Sequence, residues 1–75
     1  MNERRYLIVI EGDRATNYSA YAPDLPGCVA TAATLEECQR EMRDAVAFHI
    51  AGLREAGDVV PEPSGVTAMF VSVAA

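Results

Sequence analysis

The sequence lacks lysine and tryptophan and holds one histidine and two cysteines among its 75 residues. Six arginines stand against eleven acidic residues, so the formal net charge is −5. Without a basic patch there are no counterions to release, which argues against direct binding to nucleic acid or to an anionic membrane. The acidic balance is compatible with a basic protein partner, whose approach it would steer.

Long apolar runs are also absent. Only five apolar residues, 6–10, follow the charged N-terminus, too few for a signal peptide, and no run reaches the length of a membrane span. Cys28 and Cys38 fall at positions that we expect to be buried. We therefore predict reduced core thiols in a cytoplasmic protein, with no disulfide, metal site or cofactor.

The stretch from Thr34 to Gly57 predicts one amphipathic helix. Thr34 and Glu37 fit a capping box, and Gly57 suits the left-handed residue that ends a helix. Apolar and small residues recur at spacings of three and four between the two ends, as a helix with one packed face requires. They are Leu35, Cys38, Met42, Ala45, Val46, His49 and Leu53.

Short β-branched or alternating segments predict strands at 6–10, 16–22, 28–32 and 66–73. Turn residues separate the first two, and a rigid loop, Pro23–Gly27, separates the second from the third. The expected fold class is α+β, in the order β-β-β-α-β. A small, mainly antiparallel sheet carries one helix on one face, in a single domain spanning residues 1–75.

One helix covers only one face of a sheet, yet the first and last predicted strands are apolar on both faces. The uncovered face would exceed the apolar area that soluble monomers usually expose. We therefore expect a homodimer or higher homo-oligomer. Its interface is predicted to include Phe48, Met69, Val71 and Val73.

Candidate catalytic groups each have a simpler structural interpretation. His49 lies on the apolar stripe of the helix, and neither cysteine has a base beside it in the sequence. Four acids are the candidates for a two-metal nuclease site, but they fall in turns or on the polar helix face, where solvated carboxylates are the norm. They are Glu11, Asp13, Asp24 and Asp44. We therefore predict that the protein is not an enzyme.

Several segments, in order, resemble the HicB antitoxin family over residues 4–73. They are Tyr6–Glu11, Tyr18–Cys28 with its Pro-Asp-Leu-Pro-Gly-Cys run, Thr34–Glu37, and Gly57–Ser64 with Pro-Glu-Pro-Ser. The resemblance implies a partial ribonuclease-H-like β-β-β-α-β fold. It also implies a partner, a HicA-type toxin, which is a small basic ribonuclease that cleaves messenger RNA and is blocked by its antitoxin.

Many members of that family carry a C-terminal DNA-binding segment, and none is recognisable here before Ala75. We therefore expect no operator binding by this chain alone. The expected toxin-binding residues are Glu11, Asp13, Asp24, Leu25 and Pro26, from the first turn and the rigid loop. A stand-alone oligomer with no ribonuclease partner is the alternative, and a metal-dependent nuclease is a third hypothesis.

Overall fold

The computed structural model describes residues 3–74 and has three strands followed by one helix. The elements are β1 (Val9–Glu11), β2 (Tyr18–Tyr21), β3 (Val29–Ala32) and α1 (Leu35–Glu55). The strands form an antiparallel sheet in the order β1-β2-β3, and α1 packs chiefly on β3 and β2. The α+β class and the β-β-β-α order predicted from the sequence are confirmed.

β1 is shorter than predicted because its neighbour is interrupted. Val9 pairs with Tyr21, and extending that register by two residues would set Leu7 opposite Pro23. Proline has no N–H to donate to the ladder. Residues 5–8 therefore continue toward β1 beside the Pro23–Gly27 loop without belonging to the sheet.

The predicted helix signals act largely as expected. The Thr34 hydroxyl accepts a hydrogen bond from the Glu37 backbone N–H at 3.1 Å. The reciprocal bond of a capping box, from the Thr34 N–H to the Glu37 carboxylate, is not among the hydrogen bonds of residues 3–74. At the other end, the Gly57 N–H bonds to the Arg54 carbonyl and the Asp58 N–H to the Leu53 carbonyl, with Gly57 at φ +75°. This is the Schellman arrangement.

The core is small and lies between the helix and one face of the sheet. Its large members are Leu25 and Met42, and the remaining buried residues are Ala20, Ala22, Cys28 and Cys38. Alanine and cysteine on the facing surfaces let the helix approach the sheet closely, since neither carries a long side chain. Ile50, which the predicted helix stripe omitted, also packs against this core.

The prediction of a fourth strand at 66–73 is wrong for the chain as described. These residues carry no strand assignment in the structure, and all eight are exposed. The segment has the composition of a strand, but a strand forms only when its backbone groups find a partner. Within the described residues it finds none. We call residues 66–73 the C-terminal tail.

The N-cap of α1 supports a direct test of this fold. We expect Thr34→Ala to lower the free energy of unfolding by about 1 kcal/mol, because one N–H of the first turn loses its acceptor. Thr34→Ser keeps an acceptor oxygen and is the matched control. Urea unfolding followed by circular dichroism measures both variants. Equal stability of the alanine variant and the parent would contradict this role of Thr34.

Candidate partner-binding surfaces

The face of the sheet turned away from α1 is partly apolar and open. The strand register aligns Val9, Tyr21 and Val29 in one row across the three strands. Tyr21 and Val29 are exposed, and Val9 is half-buried. No described element covers this row, so the second apolar face expected from the sequence is present in the structure.

The sheet also divides the predicted toxin-binding residues between its two ends. Glu11 and Asp13 lie at the end that holds the β1–β2 turn, which we call the turn end. Asp24 and Pro26 belong to the β2–β3 loop at the opposite end, which we call the loop end. β2 runs between the two ends, and its four residues span about 13 Å. The five residues therefore do not form one patch.

Asp13 stabilises the first turn by accepting hydrogen bonds from its backbone. One of its carboxylate oxygens accepts bonds from the backbone N–H of Ala15 at 2.9 Å and of Thr16 at 3.1 Å. Gly12 enters the turn at φ +136°, and a Cβ at that position would lie 2.5 Å from the Asn17 carbonyl oxygen. This turn is thus built around an Asx motif and a glycine, both of which the local sequence signals.

At the loop end, Asp24 anchors the segment that follows the helix. Its carboxylate accepts a hydrogen bond from the Ser64 backbone N–H at 3.0 Å. Arg4 pairs with Glu62 at 2.8 Å, and the Tyr6 hydroxyl donates to the Pro61 carbonyl. Pro61 and Glu62 are consequently held against the N-terminal segment, and Ser64 is held against the β2–β3 loop.

The prediction that Leu25 is a toxin-binding residue does not agree with its position in the structure. Its side chain is 0% exposed and belongs to the core, so it holds the loop down from beneath and offers no surface to a partner. The loop also bonds to itself, from the Leu25 N–H to the Ala22 carbonyl and from the Cys28 N–H to the Leu25 carbonyl. Pro26 is exposed on top of the loop. The sequence alone did not indicate that Leu25 is buried and Pro26 exposed, because turn residues surround both.

The turn end also holds acids from the start of α1, which the sequence analysis did not connect with those of the first turn. β3 ends at Ala32, beside the start of β2, and α1 begins three residues later, so the N-terminus of the helix lies at the same end as the first turn. Arg14 and Tyr18 share a cleft there with Thr34, Leu35 and Glu36. Glu11 and Asp13 thus lie at the same end as Glu36 and Glu37. The sequence analysis missed this arrangement because it did not use the antiparallel register of the strands, which places the helix start at the same end as the first turn.

A second surface is the cleft between β1 and α1, of about 440 Å³. It exists because α1 packs on β3 and β2 and leaves the helix side of β1 thinly covered. Arg4, Gln39 and Arg43 form its polar part. Its apolar lining comes from both elements and consists of Tyr6, Ile8, Ile10, Met42 and Val46.

The residues predicted for self-association lie on separate surfaces. Phe48 is 82% exposed and lies near β3, in a shallow cleft with Val29 and Ala45. The C-terminal tail starts beside residues 5–8, next to β1, which is at the opposite edge of the sheet. Met69, Val71 and Val73 are exposed there. The structure does not bring Phe48 together with the tail within one chain.

Both cysteines are free and buried, at positions between the sheet and the helix. Burial raises the pKa of the Cys28 thiol by desolvating the thiolate. A raised pKa in the folded state stabilises folding below the unfolded pKa, and this contribution is lost as the pH rises through the folded pKa. Within residues 3–74, no group of three or more histidine, cysteine, aspartate or glutamate side chains is arranged to hold a metal ion.

We expect the two thiols of the native protein to react with a disulfide reagent at pH 8 at least about tenfold more slowly than in denaturant, because attack requires an exposed thiolate. Spectrophotometric titration of the released thiol product measures both rates. A Ser19→Cys variant, with an exposed thiol on the open face of the sheet, is the control for fast reaction. Equal rates for native and denatured protein would contradict the burial of these residues.

No helix among the described residues has the length and apolar character to cross a membrane. A family model described as the HicB_like antitoxin of bacterial toxin-antitoxin system matches residues 6–73. A protein of Haemophilus phage HP1 (strain HP1c1), described as an uncharacterized 14.9 kDa protein in the rep-hol intergenic region, is 36% identical over 45 residues. That match covers 60% of this chain and 34% of the phage protein, so the chain corresponds to about a third of this relative.

Proposed function

Because this chain belongs to the HicB-like antitoxin family of bacterial toxin–antitoxin systems, we propose that it binds and neutralises a HicA-type toxin. Such a toxin is a small, basic ribonuclease that cleaves messenger RNA. The antitoxin acts by covering the toxin surface that meets RNA. The family match over residues 6–73 carries the proposal, and the charge of the chain supports it.

The turn end is the proposed toxin-binding surface. Glu11 and the helix-start acids Glu36 and Glu37 are exposed at the same end of the sheet, and they complement a surface evolved to bind RNA phosphates. Asp13 contributes charge and also holds the turn that presents Glu11. Asp24 and Pro26, at the loop end, form a separate and smaller candidate contact.

Self-association is the second part of the proposal. The open sheet face, Phe48 and the tail residues Met69, Val71 and Val73 expose more apolar surface than one chain of this size ordinarily leaves in water. A homodimer or higher homo-oligomer would bury part of it. We further propose that the protein works in the cytoplasm, without a cofactor and without catalysis of its own.

Co-expression with a small basic toxin of the HicA type, to be sought as the product of a neighbouring gene, tests the antitoxin role. We expect a stable complex, and we expect RNA cleavage by the basic protein to fall at least tenfold when this chain is added. The measurements are affinity co-purification and a gel assay of labelled RNA. This chain alone with magnesium or manganese is the control, and cleavage by it would support the metal-dependent nuclease instead. Failure to bind would favour a stand-alone oligomer.

Charge reversal at the turn end tests the proposed contact. We expect Glu11→Arg to weaken toxin binding about tenfold, equivalent to about 1.4 kcal/mol, through lost attraction and new repulsion. Glu55→Arg, an exposed position near the C-terminal end of α1, carries the same charge change and is the matched control. Isothermal titration calorimetry at two salt concentrations measures both. Equal affinities of the two variants would exclude the turn end as the contact.

A further inference from the structure

The C-terminal tail has the character of a strand but lies unpaired. Residues 66–73 are apolar except for Thr67 and Ser72 and are rich in valine. Met69 is 81% exposed and Phe70 is fully exposed, whereas six of residues 3–74 are buried in the core. An extended, β-branched segment with unpaired backbone groups is suited to adding a strand to an existing sheet.

The start of the tail is held in place while the rest is left free. Asp24 binds the Ser64 N–H, and Arg4 pairs with Glu62, so the chain is fixed up to residue 64. Gly65 then turns at φ +80°, and residues 65–68 share a cleft of about 580 Å³ with residues 5–8. Beyond Ala68 the tail has no comparable cover from its own chain. The tail therefore begins at the β1 side of the sheet and projects away from the sheet beyond Ala68.

The dimensions of the molecule agree with a projecting tail. A helix of 21 residues accounts for about 32 Å. The longest extent of the chain is 49 Å, against 26 and 21 Å in the other directions. Eight residues in extended conformation reach about 26 Å, which is enough to run along a neighbouring sheet.

The same chain also contains a site that such a strand fits. β1 is an edge strand, with β2 on one side and no described strand on the other. The cleft between β1 and α1 lies next to this edge and is lined by Ile8, Ile10, Met42 and Val46. A strand added at β1 would direct alternate side chains toward the cleft. Val66, Ala68 and Phe70 form one such alternate set, and Phe70 has the volume to fill apolar space there.

We propose that two copies of this chain exchange their C-terminal tails, each tail adding a strand to the β1 edge of the other copy. Donor and acceptor occur on one molecule, so a two-fold axis satisfies both at once and closes the assembly as a dimer. The exchange rests on the self-association proposed above and specifies how it occurs. It buries the tail, occupies the β1–α1 cleft and removes an exposed edge strand in a single interaction.

The test uses the full chain without toxin or RNA. Isotopically labelled and unlabelled protein are unfolded together, refolded, and examined by isotope-filtered nuclear Overhauser spectroscopy and by sedimentation equilibrium. We expect a species of twice 8.0 kDa and contacts between chains that join the Phe70 ring and the Val66 methyl groups to Ile8 and Val46 in the cleft. A monomer at all concentrations, or tail contacts confined to one chain, would overturn the exchange.

Two variants test whether backbone pairing of the tail holds the dimer. Val71→Pro removes an N–H and restricts the backbone, whereas Val71→Thr keeps the β-branch and the N–H. We expect the proline variant to weaken dimerisation at least tenfold and the threonine variant less than threefold. Equal effects of the two would contradict strand pairing.

Two further outcomes also decide against the exchange. A dimer whose contacts between chains involve Phe48 and Val29 would confirm that the chain self-associates, but through the β3 side. This result would contradict the tail exchange and leave the self-association proposal standing. A tail that becomes ordered only when the toxin is added would assign the tail to toxin binding. In both cases the inhibition of RNA cleavage, measured separately, still decides the antitoxin role.

Discussion

The packing of α1 on an alanine-lined sheet is the contact on which the structure depends. Cys38 and Met42 of the helix meet Ala20 and Ala22 of the sheet side, and Leu25 closes the loop end. Small residues permit a close approach, but they bury little apolar surface, and a chain of this size has few ways to make up the difference. Because α1 packs chiefly on β2 and β3, it covers the helix side of β1 only thinly. A single helix cannot also cover the outer sheet face or the tail, so their apolar residues stay exposed.

The polar contacts of the molecule decide where those surfaces lie. Asp13 fixes the first turn and Asp24 fixes the linker, so two of the three acids first considered as partner contacts also position a neighbouring segment. Their positions give the molecule an acidic turn end and an apolar β1 side, from which the tail leaves. The contacts proposed with a basic toxin and with a second copy of the chain would therefore lie in chemically different regions.

Local signals in the sequence predicted the helix and the first three strands because their determinants are near in sequence. The Thr34 cap, Gly57 and the Pro23–Gly27 loop act within a few residues of themselves. The prediction of a fourth strand was wrong because pairing depends on residues that are distant in the sequence. Its nearly continuous apolar residues predict a strand, yet the position of its pairing partner is non-local information that a strand's own composition does not contain.

The candidate surfaces were predictable only in part. The acidic character and the apolar surplus were visible in composition, whereas the division of the acids between two ends required the register of Val9 with Tyr21. Leu25 shows the same limit, because an apolar residue inside a turn is equally consistent with a buried anchor and an exposed contact. Only the fold distinguishes the two.

The turn end and the β1 edge adjoin at Glu11, which is the last residue of β1. The two proposed interactions therefore use neighbouring parts of the molecule, and the acids that lie beyond β1 are Asp13 and the helix-start residues Glu36 and Glu37. A tail exchanged at β1 leaves the acids of the first turn and of the helix start exposed in each copy. A dimer of this kind would therefore present two toxin-binding surfaces, and the thin core of each chain would gain stability from its neighbour before any toxin is bound.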